Sequence, residues 1–353
     1  MKVLINTPDI NLIGGVANHF LGLKSYFKKN IFYNYIGGKS NSKFFLYHQL
    51  KDYLIFIKKL LTIKPDIIHL NPSLNNKAII RDAVFLVLTK MLGYKVVVFW
   101  HGWDLNYERI IENKYRKLFK MIFNKADASI ILANEFLNKL NKWGINHTIY
   151  LETTKVDDNL LREFKLEQKD YSKICILFLA RIIKDKGIYE TLDAYKILKN
   201  NFPQIELIYA GDGEDLEELR AITVGQKIKD VSFLGYVNGT EKIDIFQKAT
   251  IYMLPTYFGE GMPTSLIEAM AFGLPIITRP VGGIKDFFED GKMGFITESK
   301  EPNVYAELLD KLICNHDKCR EIGEFNYNYA KKHFYSSVVA KRLENIYSEI
   351  VKN

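Results

Sequence analysis

A chain of 353 residues, 48 % hydrophobic and 25 % charged, is long enough for two domains and ordinary for a protein with a packed core. Its 22 Gly and 9 Pro are too few for a low-complexity or fibrous chain, and no run approaches the ~18 apolar residues of a membrane span. The net charge of +8 is uneven: residues 1–165 hold 25 Lys and Arg against 13 Asp and Glu, or +12, and the remainder sums to −4. A basic half implies an anionic partner such as a membrane surface, a lipid phosphate or a nucleic acid.

The first residues, Met1-Lys2-Val3-Leu4-Ile5-Asn6, lack the long apolar core of a signal peptide and predict a first strand instead. Further strands are predicted at 31–36, 66–71, 95–101, 128–132 and 147–151, after the first at 3–6. The second half repeats the style at 174–180, 206–210, 231–234, 251–254, 275–278 and 294–296. Segments of helical period, such as 189–200 and 214–224, lie between them. Strands that alternate with helices and read as unbroken apolar runs imply parallel sheets covered on both faces. Two such runs predict an α/β protein of two Rossmann-like domains, residues 1–160 and 165–332, with the break in the polar stretch 157–172. The last segment, 336–353, has helical period. Cys175, Cys314 and Cys319 form no ligand pair and predict unpaired structural thiols in a reducing cytosol.

Several segments carry chemistry. Asn11-Leu12-Ile13-Gly14-Gly15 follows the first strand; it lacks the full G-x-G-x-x-G pattern, which argues against dinucleotide binding. His101, in Phe99-Trp100-His101-Gly102, stands at a strand's C-terminus, where it could hydrogen-bond a ligand hydroxyl, while Trp103 and Asp104 suit packing and a turn. Residues 105–125 mix Arg109, Lys114, Arg116, Lys117, Lys120 and Lys125 with apolar side chains, and 43–64 is similar. Such basic amphipathic helices suit an anionic membrane surface or a solvated face over a core. Arg181 and Lys186 sit in the loop after the first strand of the second half, and Gly211 in the glycine turn after the next.

Residues 259–283 are the most informative. Glu260 and Glu268 are separated by seven residues; Pro263 suits a first helical position, and Gly273 with Pro275 suits the helix end. The helix N-terminus around Thr264 and Ser265 offers unpaired N–H groups to a phosphate, and Gly259 and Gly261 let backbone approach a ligand.

Glu260-Gly261-Met262-Pro263-Thr264-Ser265-Leu266-Ile267-Glu268, with Arg181 and Lys186 in an R-x4-K spacing, resembles the E-x7-E signature of retaining glycosyltransferases of family 4. That resemblance implies the GT-B fold, two Rossmann-like parallel-sheet domains facing a central cleft, with the last helix crossing back onto the first domain. It implies a nucleotide-sugar donor, UDP ahead of GDP, and a glycan or lipid-linked acceptor in cell-surface polysaccharide or glycolipid synthesis. Arg181 and Lys186 would hold the diphosphate and stabilise the charge it gains on departure. Glu268 would bind the ribose hydroxyls, Glu260 the transferred sugar, and His101 that sugar's hydroxyls or nearby backbone. Gly14 and Gly15 would approach the phosphates; Gly261, Met262, Pro263 and Thr264 would border the donor. Gly211 would shape the loop near the nucleotide, and Tyr236, in Phe233-Leu234-Gly235-Tyr236-Val237, would meet the base. Lys285 and Asp286, after Val281-Gly282-Gly283-Ile284, depart from the Pro-Glu usual in the family.

No D-x-D motif and no His/Cys cluster is present, so no metal and no cofactor beyond the donor is expected. Nucleic acid is not expected, since no binding module is recognisable. Anomeric configuration would be retained, with no side chain marked as a covalent nucleophile. Two other readings of the same fold stay open: a non-catalytic sugar-nucleotide scaffold, and a phosphorylase or epimerase.

Overall fold

The computed structural model describes residues 1–12, 14–37, 45–259 and 261–353. The chain forms two compact units: Met1–Lys155 with Gly259–Met262 and Ser336–Asn353, and Val156–Phe258 with Pro263–Tyr335.

The first unit contains strands β1 (Lys2–Thr7), β2 (Asn30–Tyr35) and β3 (Ile67–Leu70), then β5 (Lys95–Phe99), β7 (Ala128–Ile131) and β8 (Thr148–Leu151). Two-residue strands β4 (Ser73–Leu74) and β6 (Gly102–Trp103) pair with each other. The main sheet is wholly parallel, in the order β2-β1-β3-β5-β7-β8. The chain therefore moves one way from β1 to β2 and the other way from β2 onward. Right-handed crossovers then put α1 (Gly15–Leu23) on one face. On the other face lie α2 (Phe45–Ile63), α3 (Asn76–Met91), α4 (Leu105–Ile110), α5 (Arg116–Phe123) and α6 (Asn134–Trp143). Interior strands such as β3 and β7 are buried at every position, because helices cover both faces. Trp100, Phe119, Phe123, Trp103, Phe136 and Trp143 fill the core beneath α5 and α6; Trp103 stacks on Phe136 at 4.1 Å.

The second unit contains β9 (Cys175–Leu179), β10 (Glu206–Ala210), β11 (Val231–Phe233), β12 (Ile251–Leu254), β13 (Ile276–Thr278) and β14 (Gly294–Ile296). They form a second parallel sheet in the order β11-β10-β9-β12-β13-β14. Its helices are α7 (Ile188–Lys199), α8 (Leu216–Gly225), α9 (Gly239–Lys248), α10 (Thr264–Ala271), α11 (Pro302–Ile313) and α12 (His316–His333). The twelve predicted strands of the two sheets are all present, most with ends shifted by one or two residues.

The units divide at Lys155–Val156, ahead of the polar stretch 157–172 where the break was expected. Gly259–Met262 packs with the first unit rather than with residues 165–332. The last helix, α13 (Ser336–Lys352), also packs in the first unit. There Arg342 grips Glu152 with two bonds of 2.8 Å, and Glu344 accepts the backbone N–H groups of Lys28 and Lys29 at 2.6 Å. The predicted amphipathic segment 105–125 is helical through Phe123, with a π-helical stretch at Ile111–Tyr115 between α4 and α5.

Candidate active site

In an open parallel sheet, ligands bind outside the strand C-termini where the strand order reverses. In the second unit that point lies between β9 and β12, and the loops that follow them are Ala180–Gly187 and Pro255–Phe258. They are stitched together at one atom, since the Asp185 carbonyl accepts the N–H groups of Tyr257 at 2.9 Å and Phe258 at 3.0 Å. Gly187 takes φ +83°, and a Cβ there would lie 2.6 Å from the Pro255 carbonyl oxygen, so no larger residue closes this join. Arg181 and Lys186 both lie over the Phe258 ring, at 5.0 and 4.6 Å from its centroid. Lys186 is 6 % exposed. Burial, and then the charge of Arg181, push its ammonium down to about 7. Two cations held together at a strand terminus suit an anion, whose charge offsets both the burial and the repulsion.

Gly211 takes φ +138°, and a Cβ there would sit 1.8 Å from the Ala180 oxygen, while its N–H is taken by the Gly235 carbonyl at 2.6 Å. Its role is close packing of the loops, and its amide is not turned to a ligand. Tyr236 is exposed beyond β11. Pro263 caps α10 with ψ 115° and is not its first helical residue, so the helix proper begins at Thr264. Thr264 is exposed, and Ser265 Oγ lies 2.7 Å from the Tyr252 hydroxyl. One turn on, Glu268 is buried, and both its oxygens meet Lys242 Nζ, at 2.7 and 2.6 Å. Lys242, on an ordinary amphipathic helix, carries no sequence motif, and sequence reasoning missed it, as it missed Phe258.

In the first unit, the order reverses between β1 and β3. Gly14 caps α1 in extended backbone, and neither Gly14 nor Gly15 has a heavy atom within 4 Å of where a Cβ would stand. Space alone does not require glycine at either position. His101 Nε2 lies 2.9 Å from Asn71 Oδ1, and its ring stacks on Phe99 at 3.9 Å and meets His19 edge-on at 5.0 Å. Asn71 Nδ2 donates to the Asn6 carbonyl at 2.8 Å, which turns its Oδ1 toward the histidine. His101 therefore carries its proton on Nε2, leaving Nδ1 as an acceptor. Burial pushes His101 down to about 3, so the ring is neutral at physiological pH. Asn71 was not found from the sequence; it stands 30 residues from its partner and follows a different strand. Gly261 and Gly259 pack closely against this unit's backbone. A Cβ at Gly261 would lie 3.2 Å from the His101 oxygen, and one at Gly259 3.0 Å from the Trp103 oxygen. The Met262 carbonyl accepts from Thr154 Oγ1 at 3.4 Å. Asp104 serves as the N-cap of α4, accepting from Asn106 and Tyr107.

The structure thus gathers Arg181 with Lys186 in one unit, and His101 with Gly261 in the other. Glu260 lies outside the described residues. Among the described residues no three His, Cys, Asp or Glu side chains form a metal cluster, and no helix is long and apolar enough to cross a membrane. Cys175, Cys314 and Cys319 are free thiols.

Residues 162–329 match the family described as Glycosyl transferases group 1. An uncharacterized glycosyltransferase of Methanocaldococcus jannaschii, MJ1069, is 29 % identical over 66 % of this chain and 61 % of its own. The capsular polysaccharide biosynthesis glycosyltransferase CapM of Staphylococcus aureus is 29 % identical over 60 % of this chain and 55 % of its own. The chain thus matches a little over half the length of these curated relatives. Alr3699/HepE of Anabaena, solved in complex with UDP and glucose, superposes with TM-score 0.74 at 16 % identity, over 99 % of both chains. That likeness shows the fold: GT-B, with two Rossmann-like parallel-sheet domains.

Proposed function

We propose that the protein is a retaining glycosyltransferase of family 4 that moves a sugar from a nucleotide-diphosphate donor, a UDP-sugar ahead of a GDP-sugar. Its acceptor is a glycan or a lipid-linked sugar of cell-surface polysaccharide or glycolipid synthesis. The observation that carries the reading is the cation pair of Arg181 and Lys186 over Phe258, at the strand-order reversal of the second sheet. The family match over 162–329 and the glycosyltransferase relatives support it, and the UDP bound to Alr3699/HepE favours the uridine donor. The three free thiols fit a cytosolic enzyme.

Each step falls to a named residue. Charge grows on the diphosphate as the glycosidic bond breaks. Arg181 can take two of its oxygens, and Lys186 acts as a point charge at short range. Being held in place before the reaction, they stabilise the departing group more than the ground state. The first-turn N–H groups of α10, at Thr264 and Ser265, add positive potential. Glu268, fixed by Lys242, keeps spare lone pairs on both oxygens for the two ribose hydroxyls. Neutral His101 accepts a sugar hydroxyl at Nδ1, and Glu260 holds others. The acceptor attacks the face from which the nucleotide leaves, so configuration is retained without a covalent enzyme intermediate. The two cations do the work a divalent metal would otherwise do.

The test is transfer from labelled UDP-sugars to a lipid and glycan extract, with the product anomer read by NMR. The wild type should give a retained product, and Arg181→Ala should cut turnover on the order of 10²-fold. A folded Arg181→Ala protein with near-normal turnover removes that residue's role. Donor binding by the wild type without transfer to any acceptor would point to a scaffold.

A further inference from the structure

We infer that Tyr347 and His69 are positioning residues for His101: a buried line of polar contacts from the last helix fixes which nitrogen of that ring is left to accept a sugar hydroxyl. The effect on transfer rests on the proposed role of His101; the effect on its ring does not. Tyr347, His69, Asn71 and His101 all belong to the first unit.

His69 breaks the pattern of its strand. β3 reads Ile67-Ile68-His69-Leu70, every position is buried, and the partners of His69 on β1 and β5 are Ile5 and Val97. An apolar side chain would pack there without burying a polar ring, and such a break with the local rule marks a functional place. Burial, and after it His101, hold His69 well below its usual pKa, so the ring is neutral and has a single N–H. Its Nδ1 lies 2.6 Å from the hydroxyl of Tyr347, which α13 brings in fully buried. Asn71 stands beside the same ring and favours its protonated form, as an amide oxygen does. That oxygen also meets His101 Nε2 at 2.9 Å, because the amide nitrogen donates to the Asn6 carbonyl.

One placement of protons suits all four groups. The Asn71 oxygen calls for an N–H from both imidazoles. His69 then carries its proton on Nε2, and its Nδ1 accepts from the Tyr347 hydroxyl. His101 likewise carries its proton on Nε2 and keeps Nδ1 as an acceptor. Without the Tyr347 hydroxyl nothing holds the His69 proton on Nε2. Once on Nδ1, it leaves a bare nitrogen facing the Asn71 oxygen, and the amide is better paired when rotated. His101 then meets an amide nitrogen, and its own proton moves to Nδ1, the atom left for the ligand. Packing cannot make this choice. Phe99 stacked at 3.9 Å and His19 edge-on at 5.0 Å fix the plane of the His101 ring, but not which of its atoms are nitrogen. His69 Nε2 is buried and completes no hydrogen bond among the described residues, so the line is one short contact from closed. Such contacts commonly tighten when substrate binds.

The test is nitrogen NMR of the full chain with isotope-labelled histidine, which reads the tautomer of each ring. The wild type should show His101 with its proton on Nε2 and a bare Nδ1. Tyr347→Phe keeps the aromatic ring and loses only the hydroxyl; it should bring in the Nδ1–H form of His101. It should also cut turnover of UDP-glucose with the lipid and glycan extract about fivefold, the share of one hydrogen bond, while UDP binds as tightly as before. His69→Gln, whose amide can accept from Tyr347 and donate to Asn71, should keep the wild-type form of His101, and His69→Leu should lose it. His101 signals untouched by Tyr347→Phe or by His69→Leu would overturn the inference, whatever happens to turnover. A changed His101 ring with unchanged turnover would uphold the line of contacts and remove His101 from the transfer.

Discussion

Lys186 is the side chain whose state reports most directly on what the site holds. Burial and the neighbouring Arg181 keep it at about 7, so it is charged below that pH and progressively neutral above it. A bound diphosphate reverses both influences and raises the pKa. Binding above pH 7 must then take up a proton, and affinity falls as the pH rises. For UDP-glucose, whose phosphates do not titrate in this range, the dissociation constant should be flat below pH 7. It should rise toward tenfold per unit between pH 7 and about 9. Calorimetry in buffers of different ionisation enthalpy reads the proton directly, and Lys186→Met should abolish the slope. A flat wild-type profile would separate Lys186 from the phosphates. Arg181 and Lys186 were legible in the sequence because they share one short loop. The contacts that fix other candidate residues were not: Asn71 meets His101 across 30 residues, and Lys242 meets Glu268 across 26, through packing that no local pattern encodes.

At the scale of elements, α10 does two things in two successive turns. Its start exposes backbone N–H groups, and its next turn buries Glu268 against Lys242 of α9. A carboxylate this deep is tolerated because Lys242 meets it; removing the lysine leaves an uncompensated buried charge. Lys242→Met should therefore cost about 3 kcal/mol of stability in urea denaturation. Glu268→Ala should weaken UDP binding by about tenfold or more, the loss of hydrogen bonds to a charged group. A Glu268→Ala protein that binds UDP as tightly as the wild type would remove the ribose assignment. The strands were readable because strands buried on both faces are unbroken apolar runs. The start of α10 and the π-helical stretch within 105–125 were not. Pro263 fits a cap as well as a first turn, and the stretch at Ile111–Tyr115 leaves the helical pattern almost intact.

For the whole molecule, the unit boundaries follow contacts rather than sequence order. The chain leaves the first unit at Lys155, yet Gly259–Met262 and the last helix return to it. Composition pointed to a break in the polar stretch 157–172 because it reads only local character. α13 is anchored by Arg342, whose guanidinium bonds both oxygens of the buried Glu152. Arg342→Ala should lower stability by about 3 kcal/mol, seen as a lower denaturation midpoint; an unchanged midpoint would mean that apolar packing alone holds the helix. The central claim remains the cation pair over Phe258, and a crystal structure with UDP-glucose tests it most directly. The account predicts the diphosphate within hydrogen-bonding reach of both the Arg181 guanidinium and Lys186 Nζ. A well-ordered nucleotide whose phosphates touch neither residue would contradict it.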